Sequence, residues 1–270
     1  MPPETVSTYF GLVGELAGRL EEALSGGDAK FEAADRAQHV AMRLRLGLLS
    51  RASAVGVLAD TGPAQAAMYD CLRTMCEAAS HLTWLVAKPE ATQQRALCIE
   101  LGQAKADAHN RVKVLAVHRA ALLDPDTREQ MEKNLNAAEE VVRHVQETHG
   151  SSCKQCGGRG RNETQVPTWL KQQATKASAT TDEVNLFALW VGCSADVHQL
   201  VPQRHSREDG HHLELPGAEV GLVVRWAIDT LLMCFPLVAK VVRPEVVADV
   251  EAVGVWWKDV MRNVDRGVSA

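Results

Sequence analysis

The residues best suited to chemistry lie in one run, His149-Gly-Ser-Ser-Cys153-Lys-Gln-Cys156-Gly157-Gly158. Two thiols separated by two residues and followed by glycine can take neighbouring corners of a tetrahedral metal site, because the glycine lets backbone amides approach the sulfurs. Zinc is the metal this spacing suits, with His149, Cys153 and Cys156 as ligands. A closed site needs a fourth donor, and a later polar stretch offers His205, His211 and His212. With no second Cys-x2-Cys in the chain, the run also reads as a plain loop carrying two reduced thiols. Lys154, Arg159 and Arg161 make it basic, which suits an anionic partner or solubility alone.

A second set of candidates sits on a helix. Between residues 63 and 101, Met68, Leu72, Met75, Ala79, Leu82 and Val86 recur at steps of four and three and form one apolar stripe. Arg73, Glu77, His81 and Trp84 fall on roughly the opposite side. Arg95 lies on the next helix, which must fold back after Lys88-Pro89. Far downstream, Ser194 and His198 are one turn apart on an otherwise apolar helix. Brought together inside a bundle, Arg73, Glu77, Arg95, Ser194 and His198 would shift one another's pKa values and could bind an anion or move a proton. The alternative is a solvated back face with an Arg–Glu pair at i,i+4 and a histidine satisfied in the core.

Three resemblances attach to these residues. Arg73-x3-Glu77, Trp84, Arg95 and Ser194-x3-His198 together resemble a set of uncharacterised bacterial helical proteins, frequent in actinobacteria and carried as a domain of unknown function. The likeness covers about the middle half of the chain and implies a helical bundle, without a known reaction. Arg143-His144-Val-Gln-Glu-Thr-His149 is similar to the Arg-x4–6-His motif of HEPN ribonucleases, all-helical domains that often dimerise and cut RNA without metal. That resemblance implies His149 as general acid or base and Arg143 on the phosphate, in stress or phage defence. Arg111 to His118 fits the motif more loosely, with Val112 where a polar residue is expected. Cys153 to Gly160 also resembles one repeat of the zinc module of the DnaJ chaperone; that module needs four, so chaperone function does not carry over.

The elements that must position these residues are helices. Of the 270 residues 46% are apolar and 23% charged, and period-2 alternation is almost absent, so the chain is expected to be all-α. Breakers at Ser25-Gly26-Gly27, Asp60-Thr61-Gly62, Lys88-Pro89, Asp124-Pro125 and His149-Gly150 divide the first half into five helices. The whole reads as a multi-helix bundle of eight or nine helices, one domain over residues 1–270, with long polar loops at about 150–166 and 203–216.

The formal charge of −5 argues against an extended nucleic-acid surface while leaving room for a local basic patch. The opening MPPETVSTYF has neither a basic n-region nor an apolar h-region, so no secretory signal is expected. The most apolar window, residues 218–242, contains Glu219, Arg225, Asp229 and Lys240, charges too costly for a simple membrane span, so a core helix is expected there. Seven cysteines, five of them inside helical patterns, suit reduced thiols and a cytoplasmic location. Adjacent Trp256 and Trp257 point two ways, which suits a homodimer interface. The functional expectation is a cytosolic binding or interaction protein with a polar interior site for an anionic small molecule. The alternatives are a HEPN-like ribonuclease acting on RNA and a zinc-stabilised interaction module without catalysis.

Overall fold

A computed structural model describes residues 8–26, 34–61, 67–119, 125–150, 153–161, 165–198 and 217–265. Among them are nine α-helices and no strand: α1 Tyr9–Ser25, α2 Arg36–Thr61, α3 Met68–Val86, α4 Thr92–Arg119, α5 Pro125–His149, α6 Gln165–Ala174, α7 Thr181–His198, α8 Gly217–Val242 and α9 Val247–Asp265. The all-α multi-helix bundle expected from the sequence is the observed architecture.

Local chemistry sets the ends. Thr8 caps α1 by accepting from Gly11 N at 3.1 Å, and the two carboxylate oxygens of Asp60, on α2, accept from Tyr9 N and Phe10 N at 2.9 Å each. Three donors left over at the start of α1 are thereby satisfied, one of the caps coming from a neighbouring helix. Pro89 and Pro244 each open a short 3-10 turn that leads into α4 and α9, where a missing N–H is harmless.

The core is a single cluster of apolar side chains running from Val13 to Trp257. α3 lies at its centre, packed by α2, α7 and α8, and Met68, Leu72, Met75, Ala79 and Leu82 are fully buried along its stripe. α8 is, among the described residues, the one helix long and apolar enough to cross a membrane, with mean hydropathy 1.8 over its most apolar window. Over half of that window is buried against α2, α3 and α9, and the Tyr69 hydroxyl donates to Glu219 at its first turn. It is built as a core helix. Cys71, Cys76, Cys193 and Cys234 pack here as small apolar groups.

α4, packed on α2 and α3, pairs antiparallel with α5: Cys98, in the second turn of α4, meets His149, the last residue of α5. The apolar stripe of α5 is shallow: Ala138 is buried while Met131, Leu135, Val142 and Val145 are half-buried, with α4 as the helix packed against α5.

The polar face of α3 differs from a solvated surface. His81 is 3% exposed and Trp84 2%, so α3 is buried nearly all round. Periodicity shows that a face carries polar groups, but not which segment will cover it. Here the cover is α4 with the loop 153–161.

Candidate metal centre

The loop that follows α5 returns to the start of α4. Cys153 to Gly158 form a tight turn in which Gly157 N donates to Cys153 O at 2.7 Å. Gly157 has φ +61°, a left-handed conformation that glycine adopts freely. The loop then docks on α4 through two further glycines, Gly160, where a Cβ would lie 2.7 Å from Gly102 N, and Gly102 itself. Arg161 N donates to Cys98 O at 2.7 Å, and a Cβ at Gly102 would lie 1.8 Å from Arg161 O. Only a helix without a side chain at this position admits the loop backbone so closely.

This docking brings four donor atoms into one cluster. Cys98 Sγ, His149 Nε2, Cys153 Sγ and Cys156 Sγ lie within 4.8 Å of one another. Cys98 Sγ is 3.2 Å from His149 Nε2 and 3.6 Å from Cys153 Sγ, and Cys156 Sγ is 3.1 Å from His149 Nε2. The cluster is of the size a tetrahedral zinc requires: Zn–S of about 2.3 Å and Zn–N of about 2.0–2.1 Å keep donors roughly 3.5–3.8 Å apart. Cys98, His149 and Cys153 are buried and Cys156 is half-buried.

The surroundings prepare these atoms as ligands. His149 Nδ1 lies 2.9 Å from Gly150 O; a carbonyl can only accept, so the proton sits on Nδ1 and the Nε2 lone pair faces the sulfurs. Around Cys153, burial raises the thiol pKa, but the N–H groups of Gln155 and Cys156 and the amide of Gln94 outweigh it and hold the pKa below its usual value. Gln94 Nε2 donates to Cys153 Sγ at 3.2 Å. Donors aimed at a sulfur favour the thiolate, the form that binds metal. For Cys98 burial pushes the pKa up, and the adjoining sulfurs of Cys156 and Cys153 push the same way. Three thiols this close cannot all ionise without a cation among them.

Two arginines border the cluster. The guanidinium of Arg95 lies over the Trp84 ring at 4.8 Å, donates to the Trp84 carbonyl, and donates through Nε to Gln155 Oε1 at 3.2 Å. Arg161 lies over the same ring at 4.3 Å. Three thiolates, a neutral imidazole and Zn2+ would together carry one negative charge, which these cations offset.

The structure thus unites His149, Cys153 and Cys156 and supplies their fourth partner, Cys98. Cys98 is one of the five cysteines that lie inside helical patterns, and 51 residues separate it from His149, so no local spacing marks it. The downstream His205, His211 and His212 lie outside the described residues.

Elsewhere, Arg73 and Glu77 form an i,i+4 ion pair at 3.2 Å, while Arg95 is committed to Trp84 and the metal-site loop. Ser194 and His198 belong to α7, but their side chains lie outside the described set. Arg143 is exposed and paired with Glu140 at 2.7 Å and Glu147 at 3.6 Å, while the two ring nitrogens of His149 face Gly150 and the thiols.

No relative decides the reading. Compared with protein-family models, characterised proteins and solved structures, the chain finds no match. The donor set therefore carries the functional argument.

Proposed function

We propose that the chain is a zinc-stabilised helical binding module without catalytic activity, its metal held by Cys98, His149, Cys153 and Cys156. One observation carries this reading: four soft donors from three segments converge at tetrahedral spacing, with the histidine tautomer already set. Four protein ligands fill a zinc coordination sphere and leave no position for water or substrate, which is the pattern of structural rather than catalytic zinc. The role follows from the wiring. The metal ties the free end of α5 and the loop 153–161 to α4, and the loop in turn covers the polar face of α3. Thiolate ligands suit a reducing compartment, and the cytoplasm is the location that fits them.

The ribonuclease reading has weaker support. A general acid–base histidine must have a ring nitrogen free for substrate, and both nitrogens of His149 have close partners.

Native mass spectrometry of the full chain, with and without a chelator, tests the proposal. One zinc per chain, lost on chelation together with helical signal or thermal stability, is the expected result. A metal-free chain that folds with the same stability would remove it.

A further inference from the structure

The three sulfurs of the metal centre differ in what can reach them. Cys98 is fully buried and Cys153 is 8% exposed, whereas Cys156 is half-buried. The other four cysteines, Cys71, Cys76, Cys193 and Cys234, are buried in the core. Of the seven thiols, Cys156 is thus the one most open to a small solute.

The backbone also holds a second sulfur beside it. Gly157 N donates to Cys153 O at 2.7 Å, which closes residues 153–157 into a turn, and the first and fourth Cα atoms of such a turn lie within roughly 7 Å. A disulfide spans Cα atoms about 4.4–6.8 Å apart, so the turn admits a Cys153–Cys156 bond with little backbone movement. The two Sγ atoms lie within 4.8 Å of each other. Cys98 is different. It belongs to α4, and its link to the loop, apart from the metal, is the hydrogen bond from Arg161 N to its carbonyl.

A bound zinc holds its sulfurs as thiolates, and a solvent-accessible thiolate with a second sulfur beside it is the arrangement that peroxides oxidise. We infer that the metal centre is a redox switch, in which a hydroperoxide oxidises Cys156, Cys153 closes a disulfide on it, and the zinc is released. The inference rests on the zinc-module reading and adds the regulation of that site.

The steps balance as follows for hydrogen peroxide. The Cys156 sulfur attacks one peroxide oxygen, the O–O bond breaks, hydroxide leaves, and a sulfenic acid forms. The Cys153 thiolate then attacks the Cys156 sulfur and expels its hydroxyl as a second hydroxide. Two thiolates have supplied two electrons, one S–S bond has formed and one O–O bond is lost. Cys98 and His149 remain, two ligands where structural zinc takes four. With the metal gone, the loop 153–161 and the end of α5 lose their tie to α4, and the cover over Trp84 loosens. Thiol–disulfide exchange with a reductant resets the site.

Peroxide treatment of the full chain tests this, with zinc content measured beforehand, released zinc read by a metallochromic dye, and products mapped by mass spectrometry. Dimedone, added to a parallel sample, traps sulfenic acid. The expected result is dimedone on Cys156, one zinc released per Cys153–Cys156 disulfide, faster amide hydrogen exchange over residues 153–161, and recovery of zinc binding after dithiothreitol. Four results would each overturn the switch and leave a structural zinc standing: zinc retained under peroxide, first oxidation at Cys98 or a core cysteine, a disulfide that includes Cys98, or zinc loss that dithiothreitol does not reverse. A chain that holds no zinc before peroxide would remove the metal reading, and the switch with it.

Discussion

Cys98 Sγ and His149 Nε2 lie 3.2 Å apart although 51 residues separate them in the chain. The contact closes the α4–α5 pair at its base and fixes where the loop after α5 must begin. Everything placed by that loop, including Arg161 above Trp84, depends on this junction.

Replacing Cys98 with serine should therefore act like replacing Cys153 or Cys156. Each variant is expected to lose zinc and to be destabilised by more than about 3 kcal/mol, since structural zinc affinity is folding free energy. Cys71→Ser should leave zinc content unchanged. Zinc stoichiometry and urea denaturation on the four variants check this, and full zinc retention by Cys98→Ser would contradict it.

Gly102→Ala probes the docking of the loop. The added Cβ would lie 1.8 Å from Arg161 O and 2.7 Å from Arg161 N, and backbone cannot swing aside as a side-chain tip can. A loss of about 1–3 kcal/mol is expected from overpacking. Because the displaced segment carries two of the ligands, zinc affinity should fall too. A chelator competition assay would read that fall, and an unchanged affinity would show that the loop docks independently of α4.

The helices were legible in the sequence because proline, glycine and the apolar stripe mark each independently: Pro125 opens α5, Gly150 ends it, and Met68 to Leu82 line the inner side of α3. The Cys153-x2-Cys156-Gly157 turn was legible for the same reason, since its chemistry is local. Cys98 was not, because a cysteine inside an apolar helix looks the same whether it packs or ligates. The burial of His81 is illegible for a similar reason, since it depends on Arg161 and Gly102, which lie on other segments.

Acid should weaken the fold through His81. The folded pKa of about 4 lies below the ordinary value near 6.5, so between these pH values the unfolded chain binds a proton that the folded chain refuses. Stability is then full above pH ~6.5 and falls as pH drops toward about 4, by up to ~3 kcal/mol. The groups facing the ring are Arg43 of α2, Glu77 of α3 and Arg161 of the loop. Urea denaturation of wild type and His81→Gln at several pH values isolates this contribution, because acid release of zinc is common to both. Parallel pH profiles for the two proteins would contradict it.

Asp60→Ala separates fold from site. It removes the acceptor for Tyr9 N and Phe10 N, and a loss of about 1 kcal/mol is expected for a cap of this kind. Zinc binding, far from this end of α1, should be unaltered. Thermal denaturation and metal analysis on one sample suffice, and zinc loss in this variant would mean that the site is coupled to the whole bundle.

X-ray absorption at the zinc edge of the purified full chain tests the central claim most directly. The expected spectrum has three sulfur neighbours at about 2.3 Å and one nitrogen at about 2.0–2.1 Å, with the sulfur count falling to two in Cys98→Ser loaded with excess zinc. A metal surrounded by oxygen, or a wild-type spectrum with only two sulfurs, would mean that the four residues do not form the site.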